Sequence, residues 1–354
     1  LSKWEYSQLL SQNRININNV KAASFEISGI MAHIKAKNEI SISNSKGYLT
    51  EDIVLEAPSI KNYCFFKGNR AHLITEVIHL AALSAPYYDV KILHLEQTGS
   101  SSLNIVSSFS LRHQYVVWDL PKAHVSMASG ATQNIVRNLP SQGRWTDYHI
   151  ENINEFIKYS VHGQSLCIKA ISYFNKAFDM YFKGDLLIMT QSNQSFSAGE
   201  TKGTVRGKQV GSFFKSGDTY SDVINRPVEQ TVVANKITIL SEQDGVNITS
   251  GVLASTVNDI QIYVAKYANL TPELRTKVQI KAAQNFTVAS AGNINLSGAS
   301  VSAGANVQLI ADGNIALGAK EEQSRTSYHN SKNDYGYVEY LKNRVTHINA
   351  KNIA

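Results

Sequence analysis

The chain has 354 residues, a net charge of +6, 43% hydrophobic and 18% charged residues, and two cysteines. Its 34 Lys and Arg residues are scattered, without the basic stripe and interleaved aromatics of a nucleic-acid surface, and no apolar run approaches the ~20 residues of a membrane helix. Cys64 and Cys167 are far apart and fit no metal or redox spacing, so both read as isolated apolar residues.

In chain order, residues 1–14 are polar and predict one short helix or a frayed end. Strand phrases begin at Ile15 and run to Ile60: Phe25-Glu-Ile27, His33-Ile-Lys-Ala36, Glu39-Ile-Ser-Ile42, Ile53-Val-Leu55. Apolar and polar residues alternate in them, the period of a strand with one buried face. We read 1–60 as loosely spaced coils of a repeat. Residues 61–130 stay rich in strand phrases, such as Tyr88-Asp-Val90 and Leu103-Asn-Ile105, with irregular spacing. They read as degenerate coils or a variant module.

Residues 131–233 are the least repetitive and read as an irregular insert or loop-rich segment. Ile171, Phe174, Phe178 and Tyr181 sit at helical spacing, which fits an amphipathic helix over 172–182. Alternating strands stay open, because short apolar segments are not settled by period. Ser192 to Gly217 reads as an exposed loop or flat coils.

Clear repetition starts at Ala234. Asn285 to Gly298 aligns with Asn306 to Ala319 at an offset of 21 residues, with Gly292-Asn293-Ile294 on Gly313-Asn314-Ile315. Each repeat holds two short strands joined at a Gly-Asn corner, residues that accept positive φ. A constant period of this length signals stacked coils. The expected fold is all-β, a parallel β-solenoid with about 21-residue coils. Phe286 should then stack on Val307, Val288 on Leu309, Ile294 on Ile315, and Leu296 on Leu317. Were the whole chain coils, about 17 of them would form a rod no longer than roughly 80 Å. Asn269 to Arg275 interrupts the pattern as a surface loop, and residues 320–344 form a charged, solvated excursion. Residues 345–354 restart a coil. The chain begins at Leu1 and stops within a strand phrase, which predicts an interior piece of a longer polypeptide.

The phrase from Ala291 to Leu317, followed by the charged stretch Ala319 to Lys332 and the returning strand to Ile353, resembles the haemagglutinin repeats of filamentous-haemagglutinin-type exoproteins. It is similar in particular to the second repeat region of contact-dependent growth inhibition effectors. The likeness covers residues 234–354 and extends more weakly to 15–60. It implies a right-handed parallel β-helix in a long bacterial surface protein. It further implies export by two-partner secretion through an outer-membrane transporter, a target-cell receptor, and delivery of a C-terminal toxin. Neighbouring coils of the same polypeptide would be the remaining partner.

The search for chemistry returns no catalytic, cofactor or metal residues. Asp147, His149, His162 and Cys167 lie close in sequence, so a Cys–His nucleophile pair can be drawn, but no local signature accompanies it. Tyr328-His329 reads as solvated. Asp244-Gly245 and Asp312-Gly313-Asn314 lack the nonapeptide of a calcium roll and read as corners. The reading is therefore a structural rod segment, not an enzyme. Two alternatives are a receptor-binding or toxin-like module in 131–230 and a polysaccharide-active enzyme on a β-helix. The outward Thr, Asn, Gln and Ala of 234–319 speak against the last.

Overall fold

Residues that alternate apolar and polar must bury one side, and short strands manage this by stacking on their equivalents one coil away. In the computed structural model they do so as a parallel β-solenoid of about 11 turns, with coils about 22 residues apart. The structure describes residues 4–11, 14–17, 25–49, 51–79, 82–83, 86–139, 146–211, 214–273, 275–331 and 334–354.

Each coil has three faces. In the regular C-terminal part, the first face stacks Ile237–Ser241, Ile260–Val264, Phe286–Ser290 and Asn306–Ala311, in the register Ile237↔Ile260↔Phe286↔Val307. The second stacks Val246–Ile248, Tyr267–Leu270, Asn293–Ser297 and the start of Ile315–Ser331, with Val246↔Ala268↔Ile294↔Ile315. The third stacks Gly251–Ser255, Val278–Ala282, Ser300–Ala303 and His347–Asn349, with Leu253↔Ile280↔Val301↔Ile348. All these pairings are parallel, so the hydrogen bonds between coils run along the rod axis, each strand bonding to the coil before and the coil after.

The four expected stacks, Phe286 on Val307, Val288 on Leu309, Ile294 on Ile315 and Leu296 on Leu317, are the observed register. Phe286, Val288, Ile294 and Leu296 are fully buried. Ile315 and Leu317 are 44% and 53% exposed, since among the described residues no strand covers their outer side.

Towards the N-terminus the same three faces are drawn by longer strands that bend through a corner. Phe25–Ala36 pairs with residues 45–49 through its first half and with 53–56 through its second. Tyr115–Ala128 and Ser165–Lys176 likewise serve the first and second faces in one run. Here large side chains fill the core: Trp118 stacks on Phe109 at 6.1 Å and Tyr173 meets Phe196 at 5.7 Å. Corners are tied by buried amides. Gln194 donates to the Leu240 carbonyl at 2.8 Å and to Thr190 at 3.1 Å, and Gln230 donates to the Ser250 carbonyl at 2.7 Å. Gly251 turns at φ +87°, where a Cβ would stand 2.4 Å from the Gln230 carbonyl oxygen, so this corner admits no side chain.

Two expectations are corrected. The stretch 1–14 is not a helix: Trp4–Ser11 is a strand paired with residues 29–36, Arg14–Ile17 pairs with 39–42, and the rest lies outside the described residues. Nor is 172–182 helical. The strand Ser165–Lys176 continues through it, a turn follows at residues 177–178, and Asp179–Phe182 begins the third face. Helical spacing loses because neighbouring coils offer strand partners on both sides, at Tyr173↔Gln194 and Val125↔Tyr173. Asn175 then closes the turn, its side chain accepting from the Phe178 amide and donating to the Phe178 carbonyl, each at 3.0 Å. The remainder of the irregular middle divides in two. Residues 160–197 and 231–234 are ordinary coils, whereas 131–139, 146–157, 199–211 and 214–228 leave the rod.

Candidate functional site

Everything that leaves the regular coils of the C-terminal two thirds does so at one corner, between the second and third faces. A first hairpin, Ala131–Leu139 with Thr146–Ile157, departs after the second-face run that ends at Ala128. The next coil turns tightly at residues 177–178. A second hairpin, Gly199–Gly211 with Phe214–Val228, departs from the coil after that. The following coil turns at Thr249-Ser250, the one beyond carries the loop of residues 271–277, the next turns at Gly298-Ala299, and then a third hairpin departs, Ile315–Ser331 with Asp334–Val345. Excursions thus alternate with tight turns, coil by coil. The reason is dimensional. A hairpin is two strands wide, about 9.6 Å, which is the rise of two coils at ~4.8 Å each.

This spacing lets successive hairpins meet edge to edge. Thr146–Ile157 pairs antiparallel with Gly199–Gly211, from Thr146↔Gln209 to Asn154↔Lys202, giving a four-stranded sheet off the side of the rod. The joint is close. A Cβ on Gly199 would stand 2.3 Å from the Phe156 ring, and one on Gly203 2.6 Å from the Asn152 carbonyl oxygen. The Phe156 amide donates to Thr201 at 3.1 Å. The second hairpin in turn lies against the third.

Ion pairs tie the feet of these hairpins to the coils. Lys158 bridges Asp179 at 2.7 Å and donates to the Glu229 carbonyl at 2.7 Å. Arg275 donates to the Asn225 carbonyl at 3.2 Å. Arg344 pairs with Glu322 at 2.8 Å and donates to the Thr276 carbonyl. Between the 271–277 loop and the third hairpin's foot lies a polar groove lined by Asn269, Glu273, Lys320, Glu322 and Arg344. The described outer surface of the first hairpin is mostly polar, with Gln133, Asn134, Arg137 and Asn138 exposed and two large apolar residues, Val136 at 63% and Ile157 at 38%.

A second concentration of chemistry lies on the first face, along six successive coils. Parallel register aligns two outward columns. One runs His33, Val54, His72, His94, Val117, Cys167; its neighbour runs Lys35, Glu56, Ile74, Glu96, Asp119, Lys169. His33 lies 3.3 Å from Glu56, His72 2.9 Å from Glu96 and His94 3.5 Å from Asp119. The His72 and His94 rings are stacked at 4.1 Å and 8°. Burial, and next the adjoining His72, holds His94 below the usual imidazole range, with Asp119 and Glu96 acting against the shift. Glu56 sits below the carboxylate range although burial opposes this, because Lys35 and His33 hydrogen-bond to it. Sequence reading missed this group. Its signal was available only in the offset of 22 residues from His72 to His94, one coil, and in the His94-Leu-Glu96 alternation that puts both side chains outward.

The residues weighed from sequence are not brought together. Cys167 is buried on the first face beside Tyr115, which donates a hydrogen bond to it, and burial raises its thiol pKa. His162 is on the third face, stacked on Tyr181 at 4.9 Å and 3.3 Å from Ser160. Asp147 and His149 fall on the backbone of the first hairpin, and their side chains lie outside the described residues, as does that of His329. The Cys–His pair therefore has no geometric support. Asp244 and Gly245 form a corner, where the Asp244 carbonyl accepts from Lys266 at 3.0 Å. At Asp312-Gly313-Asn314, the Asn314 amide donates to Asn293 at 2.8 Å. Such amide steps recur along the outside, as in Asn285, Asn306 and Asn352 at 2.8 Å each.

With this geometry in place, the comparisons with known proteins add one match. Residues 271–350, less than a quarter of the chain, match a family model described as Hemagglutinin repeat. That stretch holds the last regular coils and the third hairpin. The match likens this stretch to the repeat regions of filamentous-haemagglutinin-type proteins. No curated protein and no solved structure matches the sequence.

Proposed function

We propose that this chain is a rod segment of a large secreted or surface-associated bacterial protein of adhesin type. It serves as a stiff spacer and displays a lateral docking surface. The observation that carries the reading is the unbroken register of the first face from Trp4–Ser11 to Asn352–Ile353, together with a haemagglutinin repeat at 271–350. A stack whose every strand bonds to both neighbours resists bending, and its length scales with the number of coils. The chemistry found along it is ion pairs and amide ladders, which suit a solvated shaft.

Two finer points belong to the same proposal. Passage through an outer-membrane two-partner secretion transporter follows from the family likeness of the repeat, and parallel coils suit it, since each added coil folds on the one already formed. The growth-inhibition role, with toxin delivery to a neighbouring cell, rests on the order of repeat, charged stretch and returning strand. For the partner surface we favour the hairpin sheet, because it projects from one side and is polar and exposed.

A direct test places the chain between a two-partner secretion signal domain and a C-terminal epitope, with the cognate transporter present. The expected result is epitope outside the cell and bound to target cells, with binding reduced when residues 131–157 and 199–228 are both replaced by short turns. Epitope retained in the periplasm would overturn the export reading. Undiminished cell binding by the turn variant would overturn the hairpin sheet as the partner surface.

A further inference from the structure

The stacked histidines on the first face have the makings of a metal site. His72, His94 and Glu96 each offer one donor atom, and these atoms all lie within 4.8 Å of one another. They come from two consecutive coils, His72 from one, His94 and Glu96 from the next. The coil beyond supplies a carboxylate, Asp119, whose Oδ2 is 3.5 Å from His94 Nε2. That Nε2 is buried and, among the described residues, makes no well-directed hydrogen bond, Asp119 standing at the limit of reach. A buried ring nitrogen so weakly satisfied is uncommon, because it costs much of the desolvation of the group. A donor atom of the same ring lies within 4.8 Å of those of His72 and Glu96.

We propose that His72, His94 and Glu96, with Asp119 as a fourth ligand, bind a first-row divalent cation of the zinc class and so clamp three consecutive coils. The donor set is two imidazoles and two carboxylates. Imidazole selects zinc, cobalt, nickel or copper, whereas calcium and magnesium take oxygen ligands. Bonds of about 2.0–2.2 Å set donors around one zinc ion about 3.3 Å apart. The donor atoms of His72, His94 and Glu96, all within 4.8 Å of one another, stand near that spacing, and Asp119 lies 3.5 Å from His94. The sites are half-buried, the side chains of His72, Glu96, His94 and Asp119 being 21%, 34%, 23% and 24% exposed, so an ion has access from solvent and a partly dry floor. Lys169, 3.5 Å from Asp119, is the competing cation, and at 45% exposure it can swing away. His33 is two coils removed, where Val54 intervenes, and takes no part.

The test is titration of the intact chain, stripped with chelator, with Zn²⁺ by calorimetry and with Co²⁺ by visible absorption, alongside thermal melts with Zn²⁺, Ca²⁺, Mg²⁺ or chelator. One equivalent of Zn²⁺ is expected to bind, raising Tm in a concentration-dependent way, while Ca²⁺ and Mg²⁺ give no shift. His72→Ala and Glu96→Gln should each weaken Zn²⁺ binding at least about tenfold and remove most of the Tm rise, with far-UV circular dichroism unchanged. His33→Ala should bind as the parent does. Glu96→Gln keeps the size of the side chain and decides the matter should the His72 variant fold poorly. No saturable Zn²⁺ binding to the parent, or binding undiminished in His72→Ala/Glu96→Gln, would overturn the site.

Discussion

Single residues set the tolerance of each coil, and His113 is the most exposed to solution conditions through its chemistry. It is 3% exposed, its Nε2 lies 2.9 Å from the Tyr88 carbonyl oxygen, and its Nδ1 has no partner among the described residues. Burial holds its pKa below the ordinary imidazole value, against the pull of that carbonyl and of Asp89, and with a push from Arg112. The folded chain therefore binds this proton less readily than the unfolded chain. Its contribution to stability is complete above about pH 6.5, the unfolded value, and is lost as pH falls towards the lower folded value. The urea midpoint should decline on acidification from pH 7 to 5, and the decline should be shallower in His113→Met. An equal slope in the variant would assign the effect to other groups. His72 and His94 teach a related lesson about legibility. As letters they are two histidines 22 residues apart, and only the coil length turns that spacing into a 4.1 Å stack.

Elements differ in what holds them. A first-face strand is held by its core column, so Phe286→Ala, fully buried between Ile260 and Val307, should cost about 3–5 kcal/mol. Phe174 is 38% exposed, and Phe174→Ala should cost under ~1 kcal/mol; denaturant titration of both variants measures the contrast. A hairpin, by comparison, is held at its feet and edges. Replacing Gly199–Val228 by a turn like that at Thr249-Ser250 should leave the parallel stack standing, with Tm within a few degrees of the parent and a reduced antiparallel contribution to the infrared amide spectrum. Collapse of the melt would mean that the hairpin sheet is part of the core. The same difference explains what could be read from sequence. Repeats such as Ile294-Asn-Leu296 over Ile315-Ala-Leu317 showed because one buried face writes the alternation directly. Lys202 to Arg206 and Lys320 to Glu322 showed nothing, because a ribbon with solvent on most of its surface carries no apolar period. In 165–182 the period was blurred by Tyr173, Phe178 and a bent strand, and a helical spacing emerged by coincidence.

At the scale of the molecule, the number of coils and not the number of residues fixes the length. With about 11 turns at about 4.8 Å each, the shaft should be on the order of 50–60 Å long, short of the rod that a chain made wholly of coils would form. The three hairpins account for most of the difference by drawing residues out sideways. Solution scattering should return a stout rod of that length with lateral mass running from its middle towards its C-terminal end; a sphere-like profile would refute the continuous stack. The fold class was legible because it depends on repetition. The side sheet was not, because strand pairing between segments as distant as Thr146 and Gln209 follows from where the rod places them.

The direction of the hydrogen bonds has a mechanical consequence. Since they run along the axis, a pull along the rod loads every coil interface in series, and a coil at a free end, paired on one side only, opens first. Each coil so peeled frees about 22 residues, roughly 75 Å of contour at ~3.4 Å per residue, in exchange for one rise of the shaft. Stretching such a rod from a free end should therefore show payout in steps at nearly constant force, and not a single rupture.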